Sequence, residues 1–222
     1  MSSQKMVVAI DGPAASGKSS TAKAIARALG FRHVDSGALY RAATAARVRM
    51  GGAVETWTEE SVLEAAKIVS LAPTQSGFTP LLEGVVAERE MRGEAVTSKV
   101  SVVAKMAAVR EWVNSLVRKA GEEYDVVVDG RDIGTVVFPN ARLKVFLIAA
   151  PGERARRRLI ERLEREPTES EIAEETEKIG LRDEMDAAQS ARAPKAVVID
   201  TTHLAQAEQI ERIVSLARAA RG

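Results

Sequence analysis

The chain has no cysteine among its 222 residues, so disulfides, thiolate metal sites and a cysteine nucleophile are excluded. Histidine is nearly as scarce, with His33 and His203 as the two present. Eight aromatic residues leave a core that must be built from Val, Leu, Ile and Ala. No charge of either sign dominates: Lys plus Arg number 32 and Asp plus Glu 31, a net charge of +1. That balance offers no global basic field for nucleic acid or an anionic membrane. Long apolar runs are missing as well. Met6–Ile10 stops at Asp11, far short of a signal-peptide core or the ~20 residues of a membrane-spanning helix. A soluble, cytoplasmic protein with neither nucleic acid nor membrane as partner is expected. No fixed-period repeat appears.

What is present suffices for a core. Apolar residues make up 45 % and charged residues 28 %, near the usual globular values of ~45–50 % and ~25 %. The length fits one large domain, or one domain with an embedded smaller lobe, since domains run to ~100–200 residues. Short apolar, β-branched runs read as buried strands at Met6–Ile10, Val126–Val128, Leu143–Ile148 and Ala196–Ile199, with a weaker one at Phe31–Val34. Between them lie helical patterns such as Thr21–Leu29 and Ala205–Ala219. Strands apolar throughout, alternating with helices, predict a doubly wound α/β domain with a parallel sheet covered on both faces.

Two stretches break that rhythm. Residues 53–98 scatter Pro73, Gly77, Pro80, Gly84 and Gly93 between short apolar pieces, which reads as a small inserted lobe rather than another βα unit. Residues 151–192 hold 9 Lys/Arg and 12 Asp/Glu in 42 positions and no aromatic, so deep packing is not expected there. By charge pattern that stretch is either a solvated helical hairpin or a mobile lid over an anionic ligand.

The sharpest signal is Gly12-Pro13-Ala14-Ala15-Ser16-Gly17-Lys18-Ser19, which fits G-x-x-x-x-G-K-[ST] between a strand and a helical pattern. Small residues let such a loop wrap an oligophosphate, with backbone N–H groups and a helix N-terminus aimed at one anion. Lys18 then reaches the β- and γ-phosphates, and Ser19 or Ser20 places a hydroxyl on Mg²⁺. A phosphate loop identifies the donor and leaves the reaction open, since GTPases, motor ATPases and small-molecule kinases share it. Asp35-Ser36-Gly37 and Tyr40-Arg41 follow the second strand, at the end where open α/β sheets bind ligands. Val126–Val128 runs into Asp129, placed to hold Mg²⁺ directly or through water, then into a glycine turn presenting Arg131 and Asp132. Arg41 and Arg131 suit a second anion opposite the γ-phosphate. An acceptor that is already a phosphate needs no general base. The two histidines fit that view, with His33 read as strand-edge packing and His203 as a surface turn residue.

At this point the sequence resembles a known family. Ile10-Asp11-Gly12-Pro13, Asp35-Ser36-Gly37-Ala38-Leu39-Tyr40-Arg41, Asp129-Gly130-Arg131-Asp132-Ile133-Gly134-Thr135-Val136-Val137-Phe138-Pro139 and Arg182-Asp183-Glu184-Met185-Asp186 resemble bacterial cytidylate kinases, in the same order, over about residues 7–217. The resemblance implies the nucleoside monophosphate kinase fold: a P-loop core (about 1–52, 99–150 and 193–222) with a five-stranded parallel sheet, an inserted acceptor-binding lobe (about 53–98) and a helical lid (about 151–192). It also implies ATP and Mg²⁺ as donor and cofactor, CMP and dCMP as acceptors, and a monomer. Gly12–Ser20 would bind ATP, and Ser19 and Asp129 the metal. Arg41 and Arg131 would hold the acceptor phosphate, while Ser101, Arg110 and Asp132 read cytosine, with Ser36 supporting the ring. Arg182 and Asp186 would contact the ribose. Arg154, Arg157 and Arg158 begin the lid and would neutralise the phosphoryl group in transfer, along with Lys18. One departure stands out: Gln189 occupies the position where the family has a further phosphate-binding arginine. Either Arg192 partly replaces it, or Arg41 and Arg131 suffice and Arg192 faces solvent. The rival readings are a P-loop kinase of a different nucleotide or of a small metabolite, the latter opposed by the insert and the Gly-Arg-Asp block, and a nucleotide-binding switch, which the acceptor-side arginines oppose.

Overall fold

The computed structural model describes residues 5–221. From the N-terminal side the chain runs through β1 (Val7–Asp11), α1 (Lys18–Leu29), β2 (Arg32–Asp35) and α2 (Ser36–Arg49). Then come α3 (Glu59–Ala66), a hairpin of β3 (Val69–Pro73) and β4 (Phe78–Leu82), the short helices α4 (Glu88–Arg92), α5 (Glu94–Thr97) and α6 (Val100–Val103), and the long α7 (Ala107–Glu123). The remainder is β5 (Val126–Gly130), β6 (Leu143–Ile148), α8 (Pro151–Leu163), α9 (Glu169–Asp186), β7 (Val197–Asp200) and α10 (Gln206–Arg221).

Among the described residues, five strands form one parallel sheet in the order β2-β5-β1-β6-β7. The central β1 is buried at every position, which explains its unbroken apolar run. Side chains alternate across a strand, so Val7 and Ala9 enter the core under α2 and α7, whereas Val8 and Ile10 enter the core under α1 and α10. α7 contributes Val109, Val113, Val117 and Ala120, recurring every three or four positions, to the first of these. The α/β expectation holds, and the strand ends differ from the sequence reading by one or two residues.

Residues 53–98 carry no strand of the main sheet. The hairpin β3–β4 is antiparallel and separate. Its turn docks on β2, where the His33 N–H donates to the Ser76 carbonyl at 3.2 Å. Gly77 lies so close that a Cβ there would sit 2.6 Å from the His33 carbonyl oxygen.

The charged stretch packs more deeply than its composition suggests. α8 and α9 lie against each other and bury Ala155, Leu159 and Ile179, and with them Arg154 and Glu175, which are 5 % and 2 % exposed. The expectation of shallow packing is corrected by pairing. Glu175 lies 3.2 Å from Arg158 and 3.4 Å from Arg162, and Arg154 lies 2.6 Å from Asp183. Charges tolerate burial when their partners accompany them.

Asp11, at the end of β1, accepts the Ile133 N–H on Oδ1 and the Gly134 N–H on Oδ2, both at 2.8 Å. It thereby fastens the turn after β5 to the strand that precedes the phosphate loop. Burial pushes its carboxyl up to about 6, against the pull of those two bonds. The folded chain therefore holds this proton more tightly than the unfolded chain, and the resulting stability is full below pH 4 and lost as pH rises through 6. Between pH 4 and 7 the wild type should lose on the order of 3 kcal/mol more than Asp11→Asn does. Urea unfolding across that range checks it, and parallel profiles would refute the assignment.

Candidate active site

The loop from Gly12 to Ser20 bends between β1 and α1 because two glycines permit it. A Cβ on Gly12 would collide with the Leu147 carbonyl oxygen of β6, and Gly17 caps α1 at φ 81°. No side chain caps the N-terminus of α1, so its orphan N–H groups remain available to an anion. Lys18 folds back across the loop, its Nζ donating to the Pro13 carbonyl at 2.6 Å. Burial, then the neighbouring Arg131, pushes the Lys18 amine down to about 7. Ser20 Oγ donates to the Gly17 carbonyl at 3.0 Å, whereas Ser19 Oγ donates to Asp129 Oδ2 at 2.5 Å. Of the two serines, Ser19 is therefore the one beside the strand-end acid.

Ala14, Ala15, Ser16, Gly17, Lys18, Ser19 and Ser20 line a cleft of about 550 Å³. Gly12 and Pro13 lie behind it and serve through their carbonyls, which accept from Arg131 at 2.7 Å and from Lys18. The same cleft is also lined by Ser36, Tyr40, Arg41, Ser101, Arg110, Arg131, Asp132, Arg182 and Asp186. Arg110 forms an ion pair with the buried Asp132 and also donates to the Ala104 carbonyl at 2.9 Å. Ser36 Oγ donates to the Asp129 carbonyl at 2.8 Å. Arg131 is stretched between Gly12 and Asp186, donating to Asp186 Oδ2 at 3.0 Å.

Arg41 has neutral partners, Thr97 Oγ1 at 2.9 Å and the Met91 carbonyl at 3.3 Å. Burial, then the charges of Arg182 and Arg92, pushes it down to about 10. Arg182 is lowered by burial and then by Arg131, and its buried Nε makes no hydrogen bond. The Tyr40 hydroxyl is likewise buried without a partner. Crowded cations lining one cleft fit an anionic ligand.

The three α8 arginines that the sequence assigns to the phosphoryl group divide. Arg157 and Arg158 line the cleft, whereas Arg154 does not. Arg154 is instead a strut, donating to the Ala14 carbonyl at 3.0 Å, the Ala149 carbonyl at 3.1 Å and Asp183 at 2.6 Å. Arg157 reaches the Thr201 carbonyl at 2.5 Å. Gln189 lines the cleft, while Arg192 is exposed outside it, so the alternative in which Arg192 faces solvent is the one the structure favours.

Several residues here escaped the sequence reading. Arg92 and Lys105 line the cleft, but nothing local distinguishes them from other exposed cations. His33 is not simple strand-edge packing, because its Nε2 lies 2.6 Å from Asp129 Oδ1. Arg154→Leu should cost roughly 1–3 kcal/mol in chemical denaturation, because Asp183 and the Ala14 and Ala149 carbonyls lose its guanidinium. Unchanged stability with a lowered kcat would instead return Arg154 to the cleft.

The family model described as cytidylate kinase matches residues 8–219. The chain is 42 % identical over 219 residues to a cytidylate kinase of Geobacillus kaustophilus, covering 96 % of each chain. It is 41 % identical to one of Caldanaerobacter subterraneus, covering 95 % of this chain and 94 % of the relative. With one of Acholeplasma laidlawii it shares 37 % identity, covering 97 % and 96 %. The chain belongs to the cytidylate kinase family, and so to the nucleoside monophosphate kinases.

Proposed function

We propose that this protein transfers the γ-phosphoryl group of ATP to CMP and dCMP, giving ADP and CDP or dCDP, with Mg²⁺ bound alongside ATP. The observation that carries the reading is one cleft lined both by the phosphate loop and by the Arg110–Asp132 pair, with Ser101 and Ser36. Cytosine presents an amide-like edge with a carbonyl, a ring nitrogen and an exocyclic amine. A guanidinium beside a carboxylate offers the matching donors and acceptor, and Asp132 suits the amine. In this reading Arg182 and Asp186 would contact the ribose, and Arg41 with Arg131 would hold the acceptor phosphate.

The residues on the metal side fit magnesium. Ser19 and Asp129 offer hard oxygen donors, and a hydroxyl with one carboxylate plus nucleotide phosphates is a usual Mg²⁺ set. Bound there, Mg²⁺ would neutralise charge building on the β- and γ-phosphates.

No base is required, since phosphate oxygens of the acceptor are already anionic. Lys18 would leave the Pro13 carbonyl for the phosphates, and the anion beside it favours its charged form. Arg41 and Arg131 orient the attacking oxygen, and Arg157 and Arg158 from α8 bring further positive charge. In this reading residues 53–98 form the acceptor lobe and α8–α9 the lid, whose closure excludes water and protects ATP from hydrolysis. All these residues belong to one chain, so a monomer suffices. No helix among the described residues is long and apolar enough to cross a membrane, in keeping with a cytoplasmic enzyme.

The test is ADP formation from ATP and Mg²⁺ with CMP, dCMP, UMP, AMP, GMP and dTMP. Turnover concentrated in CMP and dCMP is expected. ATP binding without turnover on any of the six would overturn the reading. Asp132→Ala should lower kcat/KM for CMP about 10–100-fold, from the loss of charged hydrogen bonds, and narrow the gap to UMP. Arg41→Met should raise the KM for CMP by a similar factor and leave ATP affinity within about twofold.

A further inference from the structure

We propose that His33 is a positioning residue for the metal side of the site: it fixes the plane of the Asp129 carboxylate so that the Ser19 hydroxyl points its lone pairs outward. Asp129 is 2 % exposed, and both of its oxygens are engaged, Oδ2 by the Ser19 hydroxyl at 2.5 Å and Oδ1 by His33 Nε2 at 2.6 Å. A carboxylate held at one oxygen swings about its Cβ–Cγ bond, and one held at both does not. Because Asp129 accepts on Oδ2, the Ser19 proton is spent there, and the lone pairs of Ser19 Oγ are left for a cation.

His33 is itself well anchored. Its residue pairs with Val127 in the β2–β5 register, its ring is buried, and its backbone N–H and carbonyl face the turn Ser76–Gly77 of the inserted hairpin. The imidazole therefore spans from the backbone seat of the hairpin to the strand-end acid. Lys18 and Asp35 lie near enough to Asp129 for their charges to interact. Without the His33 donor, the free Oδ1 would attract the Lys18 amine and draw it away from the phosphates. No other side chain donates to Oδ1 among the described residues, so the function of His33 is not duplicated.

The inference rests on the reading of Ser19 and Asp129 as metal-side residues, and its test separates the two. Mn²⁺ binding to the ADP complex, followed by electron paramagnetic resonance, is measured for the wild type, His33→Phe, His33→Asn and His33→Gln. Phe keeps a ring without the donor, Asn carries a donor too short to reach, and Gln places its Nε2 near the position of the imidazole Nε2. The Phe and Asn variants should bind Mn²⁺ roughly tenfold more weakly and lose kcat in proportion, with the KM for CMP within about twofold. The Gln variant should recover most of both. If one of the two donor-deficient variants fails to fold, the other carries the comparison. Wild-type Mn²⁺ affinity in a folded Phe or Asn variant, even one with a lowered Tm, would leave His33 a purely structural residue and overturn the proposal. A wild-type complex that binds no more Mn²⁺ than ADP alone would overturn the metal reading, and the role of His33 with it.

Discussion

The register between β1 and β5 places Ile10 beside Asp129 and Asp11 beside Gly130, and most of the site depends on it. Each strand ends in a glycine turn, and the parallel pairing sets both turns in one crevice above the sheet. The contacts that follow are cross-turn: Asp11 to the amides of Ile133 and Gly134, Arg131 to the Gly12 carbonyl, Ser19 to Asp129. A slip of one residue would turn every side chain of β5 to the other face and take Asp129 away from Ser19. Packing enforces the register, since Val126 and Val128 belong to one core and Val127 to the other.

Charge is the second organising principle. The chain carries a net charge of only +1, yet Lys18, Arg41, Arg110, Arg131, Arg157, Arg158 and Arg182 converge on one cleft. Burial and mutual repulsion disfavour the charged forms of Lys18, Arg41 and Arg182, and an anionic ligand relieves that cost. Acidic residues serve as braces. Asp132 and Asp183 hold Arg110 and Arg154 respectively, and Asp186 is shared between Arg131 at 3.0 Å and Arg182 at 3.7 Å. Donors held in place before the ligand arrives need little rearrangement when charge develops in transfer.

How much of this was legible in the sequence varied with the range of the contacts. The phosphate loop, the buried strands and the helix after the loop are local patterns, and all could be read. The hairpin was obscured by Pro80, which argues against a strand. It is tolerated because β3–β4 is a two-stranded sheet in which each strand is an edge, so the missing N–H need not disrupt a ladder. The deep packing of α8 on α9 was hidden by charge, because composition counts Arg154 and Glu175 as solvated without showing their partners.

By itself the sequence determined the α/β class, the nucleotide-binding loop and the kinase family, because each rests on neighbouring residues or on motifs read in order. Tertiary structure decided which of two serines meets Asp129, which lid arginine is a strut, that Gln189 rather than Arg192 lines the cleft, and that His33 engages an acid 96 positions away. Local periodicity states which face of an element is buried. It carries no information about which distant polar atom waits across the crevice, and at this site those long-range pairings orient the chemistry.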